Sequence, residues 1–167
     1  MKKLCVLLLF LGLLLAGCGN SQAMETVLDG LDTQVMAPAR KVNVTLPEEA
    51  SVPSMEDPQA GSLYLCDGYE VTVQTLNGGD LNETIYNISG YQKQQLTVMQ
   101  TRGKGFTKYQ CAWSTTEEQG DMICRSVILD DGAYHYAVTV MVQADTAAES
   151  SDSWQGVLDS VALTDIG

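Results

Sequence analysis

Cys18 is the residue whose neighbours define a chemistry for it. It follows Leu15-Ala16-Gly17, which closes an apolar run from Leu4 that begins directly after Met1-Lys2-Lys3. Two lysines, a short apolar stretch and small residues at the end are the parts of a secretory signal that a peptidase removes. Cleavage between Gly17 and Cys18 would make Cys18 the mature N-terminus. Three further thiols, Cys66, Cys111 and Cys124, are candidates for a disulfide in a compartment that permits one. His135, the single histidine, follows Asp130 and Asp131 closely enough for a base-and-orienter arrangement to be considered.

Leu15-Ala16-Gly17-Cys18 resembles the lipobox of bacterial lipoproteins, and the resemblance covers residues 1 to 18. It implies that the Cys18 thiol receives a diacylglyceryl group before cleavage, and that acyl chains such as palmitate then anchor the protein. Each buried methylene contributes about 0.8 kcal/mol, so one chain binds reversibly whereas two hold a protein on a bilayer. A transmembrane anchor would need about 20 apolar residues, more than this run supplies. The expectation is a cell-membrane lipoprotein on the extracytoplasmic face, or on an outer membrane if the host has two.

Without residues 1 to 17, the 9 basic residues lose Lys2 and Lys3 while all 21 acidic residues remain, giving 7 − 21 = −14. Such an excess argues against nucleic acid or an anionic lipid surface as partner, since both call for basic patches. The mature length, 167 − 17 = 150 residues, suits a single domain able to bury its own core. Residues 18–26 read as lipidated N-terminus and tether, and 27–167 as one α+β domain. Pro47, Pro53 and Pro58 with several acids mark an irregular surface loop near 47–62.

The elements that must hold these residues are mostly strands. Valine, tyrosine and threonine alternate with other residues between turn signals, which predicts an antiparallel meander. Strands are expected within Leu63–Leu76 and near 95–101, 106–115, 121–130 and 133–143. Asp131-Gly132 suits a two-residue type I′ turn, which would set Ile128 opposite His135. A first helix opens at Asp80, buries Leu81, Ile85 and Ile88, and ends at Gly90. A second opens at the Thr146/Glu149 capping-box spacing and carries Trp154, Val157, Leu158 and Val161 on one stripe. In the strand at 121–130, Met122, Cys124 and Ile128 face one way and Ile123, Val127 and Leu129 the other. Two apolar faces need two covers, which predicts an α/β/α sandwich.

The helix ending Ile88-Ser89-Gly90, the Tyr109–Trp113 strand, the turn from Asp130 to Tyr134 and the Trp154–Leu163 helix together resemble the PsbP/Mog1-like fold. That likeness spans roughly residues 62 to 163. It implies an accessory or binding role, and only by analogy.

If the strands flanking residues 115–120 pair symmetrically, Cys111 and Cys124 fall directly opposite, and a bridge there would contribute roughly 3 kcal/mol. Three buried thiols packing as small apolar side chains is the other reading. No Cys-x-x-Cys pair or Cys/His cluster suggests a metal, and neither Gly78-Gly79 nor Gly103-Lys104-Gly105 has phosphate-loop spacing. No cofactor or catalytic set is expected. Three functions stay open: a lipid-anchored accessory domain binding an envelope protein, a small-ligand receptor using Tyr64, Tyr69, Trp113 and Trp154, and a hydrolase built on His135. The hydrolase requires His135 to be exposed in a cleft.

Overall fold

Residues that alternate across a pleat and carry β-branched or aromatic side chains become strands because each can bury one edge of its width against a neighbour. The computed structural model describes residues 38–58 and 61–164, all within the unit Ala37–Gly167. The lipobox, the cleavage site and the tether lie outside the described residues. The strands are β1 Val42–Asn43, β2 Met55–Asp57, β3 Gly61–Cys66, β4 Tyr69–Asn77, β5 Val98–Gly103, β6 Phe106–Glu117, β7 Gly120–Asp130, β8 Tyr134–Gln143 and β9 Ala162–Leu163. The helices are α1 Leu81–Ser89 and α2 Ser151–Asp159.

Seven strands pair antiparallel in the order β2-β3-β4-β8-β7-β6-β5, and β1 pairs separately with β9. Leu63–Leu76, within which strand structure was expected, falls in a hairpin of β3 and β4, because Asp67-Gly68 turns the chain with Gly68 at φ 80°. After β4 the chain crosses through α1 to the far edge, and β5 to β8 return as a meander until β8 pairs with β4. Within residues 47–62, Glu48–Ala50 form a 3-10 turn and Met55–Asp57 pair with β3 as the edge strand.

Packing divides by strand parity. Val127 and Leu129 on β7 join Tyr136, Val138 and Val140 on β8 in a cluster that receives Trp154, Val157 and Leu158 of α2. Ile128, between them in sequence, instead meets Ala137 and Ile85 of α1. Each such fully buried aliphatic side chain stabilises by about 1.5–3 kcal/mol. The molecule is richer in sheet than an α/β/α sandwich. The two helices among the described residues have nine residues each, and Leu65 (52 %) and Met99 (61 %) remain largely exposed on the strands.

The ends of α1 follow the sequence: the Asp80 carboxylate accepts from the Asn82 N–H at 2.9 Å, and Gly90 closes the helix at φ 74°. The start of α2 does not. Thr146 and Glu149 lie in turns, and the helix begins after Ser150. Those turns bring the Ala147 carbonyl to the Trp154 indole, whose N–H donates to it at 3.1 Å. A buried indole needs that acceptor, and a helix running from Thr146 would have drawn the carbonyl into its own ladder.

Candidate functional site

His135 stands in β8 opposite Asp130, not Ile128, which pairs instead with Ala137. The two-residue turn gives way to a wider loop because the Asp131 carboxylate organises it, accepting the N–H groups of Ala133 (3.0 Å) and Tyr134 (2.8 Å) and the Tyr136 hydroxyl (2.9 Å). A type I′ turn also needs positive φ at both central residues, and only Gly132 has it, at 91°. Burial alone would raise the Asp131 carboxyl. The donors from Tyr134, Tyr136 and Ala133, with the Arg40 charge, outweigh it and hold the group below its ordinary value.

The His135 ring lies beneath α1, 1 % exposed, with its Nδ1 2.6 Å from Thr84 Oγ1. The Thr84 hydroxyl donates to Nδ1 in the tautomer that leaves a proton on Nε2, which faces Asp130 Oδ1 at 3.7 Å. A hydroxyl, an imidazole and a carboxylate in sequence is a grouping that can activate a nucleophile. Here Thr84 is itself 5 % exposed, so the row fastens the helix to the sheet and offers no base to a substrate. The hydrolase reading required an open His135, and the packing under α1 removes that requirement's basis. Thr84 carries a signal in the sequence: it sits at the i+3 place of the Leu81, Ile85, Ile88 stripe, a polar residue on the buried face.

The thiols are placed differently from the expected pairing. Glu118-Gln119 close the β6–β7 hairpin tightly, so Cys111 faces Ser126 and Cys124 faces Trp113. The two cysteines share a face as diagonal neighbours, a relation that spans about 7–8 Å between Cα atoms, whereas a disulfide takes about 4.4–6.8 Å. Both are free thiols here, as is Cys66, and burial pushes Cys111 and Cys124 up to about 11. Among the described residues no grouping of His, Cys, Asp or Glu could hold a metal ion.

The four aromatics do not converge. Trp154 and Tyr69 belong to the α2 core with Tyr64 at its margin, while Trp113 lines a separate shallow cleft with Ile88 and Met141. Tyr69 is 5 % exposed, with its side chain beside the Cys66 thiol. Burial first, then the neighbouring Cys66 and Glu49, push the Tyr69 hydroxyl up to about 12. A larger groove, of about 550 Å³, lies beside α2, with Met99, Gln110, Ala112 and Arg125 along the strands and Gln155, Leu158 and Asp159 on the helix. The Arg125 guanidinium sits 5.1 Å from the Trp154 ring centroid, a cation–π contact that fixes its position at the groove.

No helix among the described residues is long and apolar enough to cross a membrane. No family model and no curated protein matches the chain. Solved structures do. Mog1p, a Ran-binding protein of Saccharomyces cerevisiae, has a TM-score of 0.47 at 11 % identity over 77 % of this chain and 97 % of its own. PA94 of Pseudomonas aeruginosa, a protein of unknown function and putative regulator, has 0.47 at 11 % over 78 % and 88 %. LpqN, involved in cell envelope biogenesis of Mycobacterium tuberculosis, has 0.50 at 11 % identity over 76 % of this chain and 85 % of its own. At that identity, what the chain has in common with LpqN is the fold.

Proposed function

We propose that the protein is a lipoprotein cleaved ahead of Cys18, held on the extracytoplasmic face of the membrane by acyl chains on that residue. Its sheet domain binds another component of the envelope and performs no chemistry on it. The observation that carries the reading is Leu15-Ala16-Gly17-Cys18 at the end of a basic-then-apolar leader. A fold resembling that of LpqN, a protein of envelope biogenesis, is in keeping with it. So is the seating of His135 beneath α1, where it serves packing.

The test is the mass of the mature protein from its native host, together with partition into detergent for the wild type and Cys18→Ala. A mature chain beginning at Cys18 with added lipid is expected, and Cys18→Ala should stay in the aqueous phase. Retention of residues 1 to 17, or an unmodified thiol at Cys18, overturns the tether. A second reading, a receptor for a small ligand, draws on the groove at Arg125. Native mass spectrometry of the purified protein should then find a stoichiometric co-purifying molecule.

A further inference from the structure

Five of the 9 basic residues, Lys93, Arg102, Lys104, Lys108 and Arg125, lie on one side of the sheet, in the approach to β5, the β5–β6 hairpin and β7. From Tyr91 to Thr116 the chain has 4 of them and no Asp or Glu, in a protein of net charge −12. All but Lys108 are exposed, and none pairs with a carboxylate among the described residues. The acids Glu48, Glu49, Glu56, Asp57, Asp67 and Glu70 lie at the opposite end, around β2 to β4. The exposed bases therefore concentrate at β5 and its hairpin, although Glu117, Asp121 and Asp130 stand on β6 and β7, Asp159 lines the groove, and Arg40 and Lys41 lie beside β3 and β4.

β5 is the terminal strand of the sheet and pairs only with β6. Its outer N–H and C=O groups meet no strand among the described residues. Lysines on an edge are a common guard against unwanted pairing. Shortness and proline are other such guards, as at β2, a three-residue strand lying between Pro53 and Pro58. β5 has six residues, no proline, and Met99 standing 61 % exposed beside the groove.

We propose that β5 and the groove beside α2 form a docking site for an extended acidic segment of a partner protein, added to the sheet as an eighth strand. Strand addition supplies main-chain hydrogen bonds, and alternate side chains read the pockets alongside. One set of the segment's side chains meets Met99, Lys108 and Arg125, which share a face, and the other meets the side of Arg102. Carboxylates at these positions complement the acid-free tract from Tyr91 to Thr116. A second copy of this protein could offer only β2 as an acidic strand, and its three residues and flanking prolines make a poor partner. The inference rests on the reading of the domain as an interaction module and not on the lipid tether.

The experiment uses the full chain in non-ionic detergent and a fluorescein-labelled nonapeptide of alternating Glu and Val, followed by anisotropy, with a Lys/Val nonapeptide as comparison. Saturable binding of the acidic peptide alone is expected, weakening as salt rises from about 0.05 to 0.5 M. Arg102→Glu with Lys104→Glu should weaken it by about tenfold or more, while Lys41→Glu leaves it unchanged. Amides of 98–103 should gain protection from hydrogen exchange when peptide binds. Equal binding of the basic peptide, or no effect of the charge reversal in a chain with unchanged circular dichroism, overturns the proposal. Two other results overturn it in favour of different occupants. Binding to phosphatidylglycerol vesicles with no β5 protection points to a membrane surface, and self-association abolished by Glu56→Lys points to a second copy. Detergent partition of the same preparations reads the tether separately, so failure of one reading is not mistaken for failure of the other.

Discussion

Thr84→Val tests whether the Thr84–His135 contact is what fastens α1 to the sheet. The substitution keeps the side-chain shape but deletes the hydroxyl 2.6 Å from His135 Nδ1, at a place where Thr84 is 5 % and His135 1 % exposed. Water cannot replace the lost partner, so the ring nitrogen is left unsatisfied at a cost of about 1–3 kcal/mol. Asp130 does not compensate: it lies 3.7 Å from the other ring nitrogen, and its carboxylate also accepts from the Gly132 N–H at 2.8 Å. At about 2–4 °C per kcal/mol for a domain near 150 residues, the melting temperature should fall by about 2–12 °C. His135→Leu should cost less, because the Thr84 hydroxyl can turn to the carbonyl one helical turn earlier. In the His135→Leu background, Thr84→Val should then have little effect, giving a coupling of about 0.5–3 kcal/mol. Urea unfolding followed by the fluorescence of Trp113 and Trp154 measures all four proteins. A loss below about 0.5 kcal/mol for Thr84→Val, or strict additivity of the two changes, would refute the role assigned to this contact.

Asp131→Asn keeps an acceptor for the loop amides and removes the charge. Because the folded carboxyl titrates below its unfolded value, its contribution is present above about pH 4 and lost as pH falls through the folded value. The variant's stability should therefore be lower at neutral pH and flatter below about pH 4 in acid titration by circular dichroism. The thiols give the opposite sign: Cys111 and Cys124 titrate near 11 when folded against a reference of 9.0, so the stability they confer is full below about pH 9 and lost as pH rises towards 11. Iodoacetamide at pH 8 should label half-buried Cys66 ahead of both, and a native mass lower by two hydrogens would instead reveal a bridge. Ile85→Ala, at a side chain with no exposed surface, should cost about 2–5 kcal/mol in urea unfolding and Ile88→Ala, half-buried, measurably less.

What the residues disclose and what they hide follow different physics. The face of each β7 side chain was readable because parity alone sets it: Val127 and Leu129 reach the α2 cluster and Ile128 the α1 cluster, as the alternation predicts. Pairing register was misread in both C-terminal hairpins, and by the same two residues. Cys111 meets Ser126 where Cys124 was expected, and Ala137 meets Ile128 where His135 was expected. A slip of two leaves every side chain on its own face, so the hydrophobic pattern cannot detect it. Only the turn decides, through contacts such as the Asp131 carboxylate on two amides that composition does not register. The placement of β8 beside β4 is also non-local, since it depends on which strands the crossover through α1 leaves adjacent.

The same distinction governs the candidate sites. Cys18 is legible without a fold, because the enzymes that process a leader read it as a linear string. Thr84 was legible in principle, as the polar member of an apolar stripe, but its partner His135 is 51 residues away and no local pattern joins them. The basic edge was hidden by addition. Summing 21 acids against 9 bases yields a strongly acidic protein and an argument against anionic partners, yet a sum carries no information about position. Once the strand order places Lys93, Arg102, Lys104 and Lys108 along one margin and the acids of β2 to β4 along the other, that argument holds for the second margin and fails for the first. Electrostatic complementarity acts within about a Debye length of 8–10 Å, so a partner arriving at β5 meets the local field of that edge and not the net charge.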